Sequence, residues 1–210
     1  MKIRCVIYDC DGVLFDSIEA NKKLYNDLCG LVGRGPLTEE EVKYVHMHTV
    51  YETIELIFGR GNRLEQRALE ALKGIDWKEY VAYLKMEPFL LQILNLLKTS
   101  AILRVINTNR TTSMKYIMEH FHLWPFFEMV VTALDVKNPK PHPESIEKIL
   151  QSFHLKKEEA IFVGDSEVDQ QTAKSSGLKF IAYKNREIEG DAYIDDHLAL
   201  LNLVSNGRGL

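Results

Sequence analysis

Apolar positions fall into two patterns along the chain. Short, nearly continuous apolar runs occupy residues 3–8, 102–107, 129–132, 160–164 and 180–183, as strands covered on both faces do. Between them, apolar residues recur every three or four positions, the period of a half-buried helix. Pro88 suits the first turn of a helix carrying Phe89, Leu90, Ile93, Leu94 and Leu97 on one side, and Pro143 suits the start of another through Ile146, Ile149, Leu150 and Phe153. A helix after Asp165 is expected to stop at Gly177, a residue that takes the left-handed closing conformation without strain. Strands alternating with helices predict an α/β fold with a doubly wound, three-layer, Rossmann-like parallel sheet.

One interval breaks the alternation. About ninety residues separate the first run from the second, far more than a single crossover helix needs. Thr38 and Glu41 form a capping-box signature, opening a helix through Val42, Val45, Tyr51 and Ile54. Gly59 and Gly61 mark a turn, and a further helix begins at Leu64. The pattern therefore predicts a core from 1–17 and 88–210, with an all-helical cap inserted at 18–87. Residues 205–210 read as a loose tail.

Composition changes this picture little. The 210 residues are 46% hydrophobic and 27% charged with a net charge of −4, so bulk charge gives no reason to expect a nucleic-acid partner. No apolar run is long enough to span a membrane, and the first strand begins too early to leave room for a cleaved leader. A cytoplasmic protein, monomeric or homodimeric, is the expectation. Cys5, Cys10 and Cys29 are odd in number and lack zinc-site spacing, which predicts free thiols. Cys10 lies between two acids that disfavour its thiolate.

Chemistry concentrates where the strand runs end, which is where open parallel sheets bind ligands. Asp9 and Asp11, followed by Gly12, come directly after the first run. A single carboxylate could cap a turn; two close together imply a function. Asp165, after the run 160–164, and Asp169 one helical turn later form a second acidic cluster. Two such clusters at one sheet edge repel unless a hard divalent cation lies between them, and Mg²⁺ is the ordinary choice. Thr108 and Asn109 end the second run, where a hydroxyl and backbone amides can hold phosphate oxygens. Lys140 sits in Asn138-Pro139-Lys140-Pro141, where prolines restrict the loop and make it a candidate phosphate ligand.

In this order, strand-end acid pair, strand-end threonine, loop lysine and second acid pair, the sequence resembles the haloacid dehalogenase superfamily of phosphohydrolases over nearly its whole length. Residues 9–14 are similar to that family's first motif, 105–109 to its second, Lys140 to its third and 164–169 to its fourth. The resemblance implies that Asp9 is the nucleophile and that Asp11 is the acid and base. It implies that Thr108 and Lys140, with Gly12 and Asn109, contact the phosphoryl group. It implies Mg²⁺ held by Asp9, the Asp11 carbonyl and Asp165, with Asp169 orienting metal waters or Lys140 from outside. Val13 stands where threonine is commoner, a departure expected to be tolerated. Asp11 argues against dehalogenation, which needs no acid for an alkoxide leaving group.

The cap position is similar to that of phosphoglycolate phosphatases and β-phosphoglucomutases. A phosphatase acting on a small phosphorylated metabolite is therefore expected, with a sugar phosphomutase as the second reading. The third is a phospho-accepting signalling domain, to which the helical insertion is foreign. Substrate-facing candidates in the cap are His46, His48, Tyr51, Arg60 and Arg63.

Overall fold

The computed structural model describes residues 2–45 and 48–205. Its centre is a six-stranded parallel sheet around β1 (Cys5–Tyr8). Two short strands, β2 (Phe15–Asp16) and β3 (Lys85–Met86), form an antiparallel ribbon of their own. The other strands of the sheet are β4 (Leu103–Asn107), β5 (Met129–Val131), β6 (Ala160–Gly164), β7 (Lys179–Tyr183) and β8 (Ala192–Ile194). They run in the order β5-β4-β1-β6-β7-β8. The chain thus grows outward from β1 on one side, then returns and grows on the other, which leaves a topological switch point beside β1. Tyr8 lies level with Ile106 on β4 and with Val163 on β6, so these three strands finish at the same edge.

Alternation along β1 sends its side chains to two cores. Val6 and Tyr8 pack with Leu94, Ile117 and Leu200 on one face; Cys5 and Ile7 pack with Ile146, Ile149 and Ala173 on the other. The first layer contains α6 (Leu90–Thr99), α7 (Ser113–His120) and α10 (Leu200–Ser205), and the second α8 (Glu144–Ser152) and α9 (Glu167–Ser176). Gly177 closes α9 in the left-handed region at φ 74°, as the sequence predicts. The three-layer α/β expectation stands.

Between β2 and β3 the chain forms α1 (Ile18–Val32), α2 (Glu39–Val45), α3 (Val50–Phe58), α4 (Arg63–Lys73) and α5 (Trp77–Val81). They close around a separate apolar cluster that includes Leu28, Ile54, Phe58 and Ala68. The β2–β3 ribbon brings the two ends of this excursion together, and the Glu87 amide donates to the Leu14 carbonyl at 3.0 Å.

Several expectations require correction. The helix drawn from Thr38 through Ile54 is two helices, because Thr49 starts a new one. Its hydroxyl accepts from the Glu52 amide at 3.3 Å, and its own amide donates to the Glu52 carboxylate at 2.9 Å. Phe89 is not on the buried face of α6 but precedes it at φ 63°, half exposed. Helix α5 and strands β2, β3 and β8 were not expected; each is too short to carry a resolvable period. Ser205 ends α10, and the rest of the expected tail lies outside the described residues. Cys5, Cys10 and Cys29 are free and buried.

Candidate active site

Asp9 leaves β1 with its amide donating to the Val163 carbonyl at 2.9 Å, which fixes the residue between the ends of β1 and β6. The chain then turns back on itself. The Leu14 amide donates to the Cys10 carbonyl at 2.9 Å, and the Gly12 amide to the Phe15 carbonyl at 2.8 Å. In this structure the Gly12 N–H is thus taken by the Phe15 carbonyl. Its glycine identity has another cause. At φ 71°, an added Cβ would lie 2.5 Å from the Asp165 Cγ, so only glycine lets the two acidic loops approach this closely.

The lysine loop reaches the same point. Lys140 Nζ donates to Asp9 Oδ1 at 2.7 Å and to Asp169 Oδ1 at 2.6 Å, with all three side chains almost fully buried. Burial alone would weaken the ammonium, but Asp169 and Asp9 outweigh it and hold it charged. Asn109 makes this placement possible. Its Nδ2 donates to the Lys140 carbonyl and its Oδ1 accepts from the Lys140 amide, both at 3.1 Å. The Asn109 side chain is thus spent on positioning Lys140, not on phosphate. Thr108 is buried at the end of β4, its Oγ1 accepting from the Arg110 amide at 3.1 Å, and its hydroxyl proton remains to be donated.

The second acidic cluster divides in two. Asp169 joins Ser166 in a capping box that starts α9: the Asp169 amide donates to Ser166 Oγ at 3.2 Å, and Ser166 Oγ donates to Asp169 Oδ2 at 2.6 Å. Both carboxylate oxygens of Asp169 are therefore occupied. Asp165, by contrast, caps nothing, and its side chain takes no hydrogen bond or ion pair from another described residue. Burial, then Asp169, Asp9 and Asp11, hold its carboxyl well above the ordinary carboxylate range. Burial and Asp169 likewise push Asp9 up to about 7, against the pull of Lys140.

Oxygens of Asp9, Asp165 and Asp169 lie within 4.8 Å of one another. With Asp169 committed to Lys140 and Ser166, Asp9 and Asp165 are the side chains left for a cation. All-oxygen donors and an unpartnered carboxylate suit a hard divalent ion.

Asp11 lines a cavity of about 50 Å³ between the sheet edge and the inserted helices, together with Asp9, Thr108 and Lys140. Arg110 grips it with both sides of the guanidinium, Nε to Oδ2 at 2.7 Å and Nη2 to Oδ1 at 2.6 Å. Sequence reasoning stopped one residue short of Arg110, although a cation directly after a strand-end Thr-Asn pair was a usable signal. Of the proposed cap residues, His48 lines the cavity, with its ring stacked on Tyr44 and Nδ1 at 3.0 Å from the Tyr44 carbonyl. Tyr51, Arg60 and Arg63 are exposed and do not line it, and His46 lies outside the described residues. Asn21, Tyr25 and Trp77, which line it, carry no motif that would have marked them.

The sequence model of haloacid dehalogenase-like hydrolases matches residues 6–183. Phosphoglycolate phosphatase of Rhodobacter capsulatus is 26% identical, covering 85% of this chain and 83% of its own. Pyrophosphatase PpaX of Halalkalibacterium halodurans is 29% identical, covering 92% and 89%. A subfamily IA hydrolase of the same superfamily from Geobacter sulfurreducens, known by crystal structure, is 36% identical. It covers 96% of each chain with a TM-score of 0.79. The matched span runs from β1 to β7 and so takes in Asp9, Thr108, Lys140 and Asp165, the residues gathered at one sheet edge: this chain belongs to the haloacid dehalogenase-like hydrolases and is a phosphohydrolase.

Proposed function

We propose that the protein is a Mg²⁺-dependent phosphatase, phosphoglycolate phosphatase-like, that hydrolyses a small phosphomonoester through an aspartyl-phosphate on Asp9. One observation carries this reading. The Asp9 carboxylate is held by Lys140 beside a second, unpartnered carboxylate, Asp165, with the Thr108 hydroxyl at the same sheet edge. An acid poised at about 7 by burial and like charge is a weak resident charge and a competent nucleophile once a cation is near.

Lys140 fixes one oxygen of Asp9 and leaves the other to approach phosphorus in line. The Lys140 ammonium and the Thr108 hydroxyl hold the phosphoryl oxygens in this reading. The new bond forms between an Asp9 oxygen and phosphorus as the ester P–O bond breaks, and a proton from Asp11 passes to the leaving oxygen. Asp11 then takes a proton from the water that attacks the aspartyl-phosphate, releasing inorganic phosphate and restoring Asp9. Asp9 and Asp165 would hold the Mg²⁺, with the Asp11 carbonyl as the further protein donor; bound there, it offsets phosphate charge and lowers the repulsion the nucleophile meets. Asp169 acts by positioning Lys140.

No helix of the described residues is long and apolar enough to cross a membrane, and relatives named as phosphatases fit a small phosphorylated substrate. The test is hydrolysis of an aryl phosphate with Mg²⁺ present. Activity should disappear with EDTA and in Asp9→Asn; turnover retained in Asp9→Asn refutes the assignment.

A further inference from the structure

Asp11 is required to face the leaving oxygen, yet in this structure both of its carboxylate oxygens face a guanidinium. The Arg110 side chain, 13% exposed, lies among Asp11, Asn21 and Ser113: Nη2 also donates to Asn21 Oδ1 and Nη1 to Ser113 Oγ, each at 3.3 Å. Of the arginine and lysine side chains among the described residues, Arg110 and Lys140 alone line this cavity. Lys140 is taken by Asp9 and Asp169 on the transferring side. Arg110 is therefore the cation presented to whatever part of the substrate lies beyond the phosphoryl group.

The other walls of that space come from the inserted helices, through Asn21, Tyr25, His48 and Trp77. A planar fork with two parallel N–H donors fits a carboxylate or a phosphate, the same geometry it uses on Asp11. The same cavity of about 50 Å³ is also lined by Asp9, Thr108 and Lys140, so a leaving portion held by Arg110 is a small one.

We infer that Arg110 is the specificity-determining residue of this site, reading a second acidic group on a small leaving portion and exchanging Asp11 for that group when substrate binds. The inference rests on the assignment of Asp11 as acid and base given above. The exchange makes no covalent bond: one guanidinium changes carboxylate partner, and Asp11, released as a carboxylate, takes a proton from solvent and turns to the leaving oxygen as the acid. Substrates with an uncharged leaving portion leave Asp11 gripped and are handled poorly in both KM and kcat. The shared chemistry is an anionic leaving portion, whether carboxylate or phosphate.

The test measures kcat and KM with Mg²⁺ on 2-phosphoglycolate, its uncharged primary amide, inorganic pyrophosphate and phenyl phosphate. The wild type should prefer the carboxylate, the pyrophosphate or both over the amide and phenyl phosphate by about 100-fold in kcat/KM, the scale of a buried charge pair. Whichever is preferred identifies the source of the charge. In Arg110→Met that ratio should collapse toward one, and Arg110→Lys should restore part of it. A role confined to packing lowers all four substrates together and leaves the ratio intact, which overturns the inference. So does a wild-type ratio near one, a result that stands even if Arg110→Met does not fold. Wild-type inactivity on all four substrates instead overturns the phosphatase assignment, and the inference with it.

Discussion

Gly12→Ala probes the close approach of the two acidic loops without touching a charged group. Two contributions can be worked from the geometry. Gly12 sits at φ 71°, where a Cβ adds about 1–2 kcal/mol of strain. The same Cβ would lie 2.5 Å from the Asp165 Cγ, about 1 Å inside the optimum for two carbons. Moving that carboxylate off its rotamer adds about 0.5–1.5 kcal/mol. Together the variant should lose about 2–3 kcal/mol, or roughly 5–10 °C in Tm for a chain of this size. Urea unfolding in EDTA measures this free of any metal. The partition is checked in an Asp165→Ala background, where the carboxylate is absent. There Gly12→Ala should lose only the backbone part, a coupling of about 0.5–1.5 kcal/mol. An equal loss in both backgrounds refutes the crowding account and leaves φ alone as the reason for glycine. The displaced Asp165 should also lower kcat by about 100-fold, as a 1 Å misplacement does.

Mg²⁺ should stabilise the protein more at pH 8 than at pH 5.5. Asp9 is raised from 3.8 to about 7, so between those values the native state binds more protons than the unfolded chain, and stability is lost as pH rises through 7. A cation that needs the ionised carboxylates reverses that loss above pH 7 and competes with protons below it. Thermal melts with and without Mg²⁺ at the two pH values measure the difference; an equal gain at both contradicts the site. Asn109→Ala should remove about 1–3 kcal/mol by orphaning the buried Lys140 amide and carbonyl, and lower kcat through the displaced ammonium; denaturation and kinetics together check it. Arg104, nearly fully buried, donates to the Ile102 and Phe126 carbonyls at 2.6 and 2.8 Å and pairs with Glu128. Arg104→Met should therefore lose about 3–5 kcal/mol in a urea titration.

What could be read from the chain follows from how strongly each feature is encoded locally. Runs such as 160–164 are continuous apolar stretches bounded by chemistry-bearing residues, so β6 and the position of Asp165 at its end were legible. Strand β8, Ala192–Ile194, contributes three residues with Tyr193 exposed, too few to distinguish from a turn. The ribbon Phe15–Asp16 with Lys85–Met86 pairs residues about seventy apart, which no local pattern encodes. The break at Thr49 was encoded, since Thr49 and Glu52 have the same spacing as Thr38 and Glu41, but the apolar period running past it obscured the cap. At the site, residue types revealed the carboxylates, the threonine and the lysine. Their division of labour was not legible, because it depends on pairings such as Asn109 with the Lys140 backbone across thirty-one positions.

That division sorts the charges of the site into two compartments that still feel each other, since Asp11 adds to the rise of both Asp9 and Asp165. In one, Asp9 and Asp169 pair with Lys140 and Asp165 lies beside them; among the described residues, three carboxylates against one ammonium leave two formal negative charges when all are ionised. The raised values of Asp9 and Asp165 are how buried groups answer such an excess, by taking protons where no cation is at hand. A divalent ion cancels the excess as a monovalent one would not. In the other compartment Asp11 pairs with Arg110, and a substrate that brings an anion of its own competes for that cation. A dehalogenase would need neither arrangement, since its halide leaves without a proton and its substrate carries no phosphoryl charge. Both compartments therefore argue for phosphoryl transfer, the first through the charge it lacks and the second through a carboxylate that can serve as acid and base once Arg110 releases it.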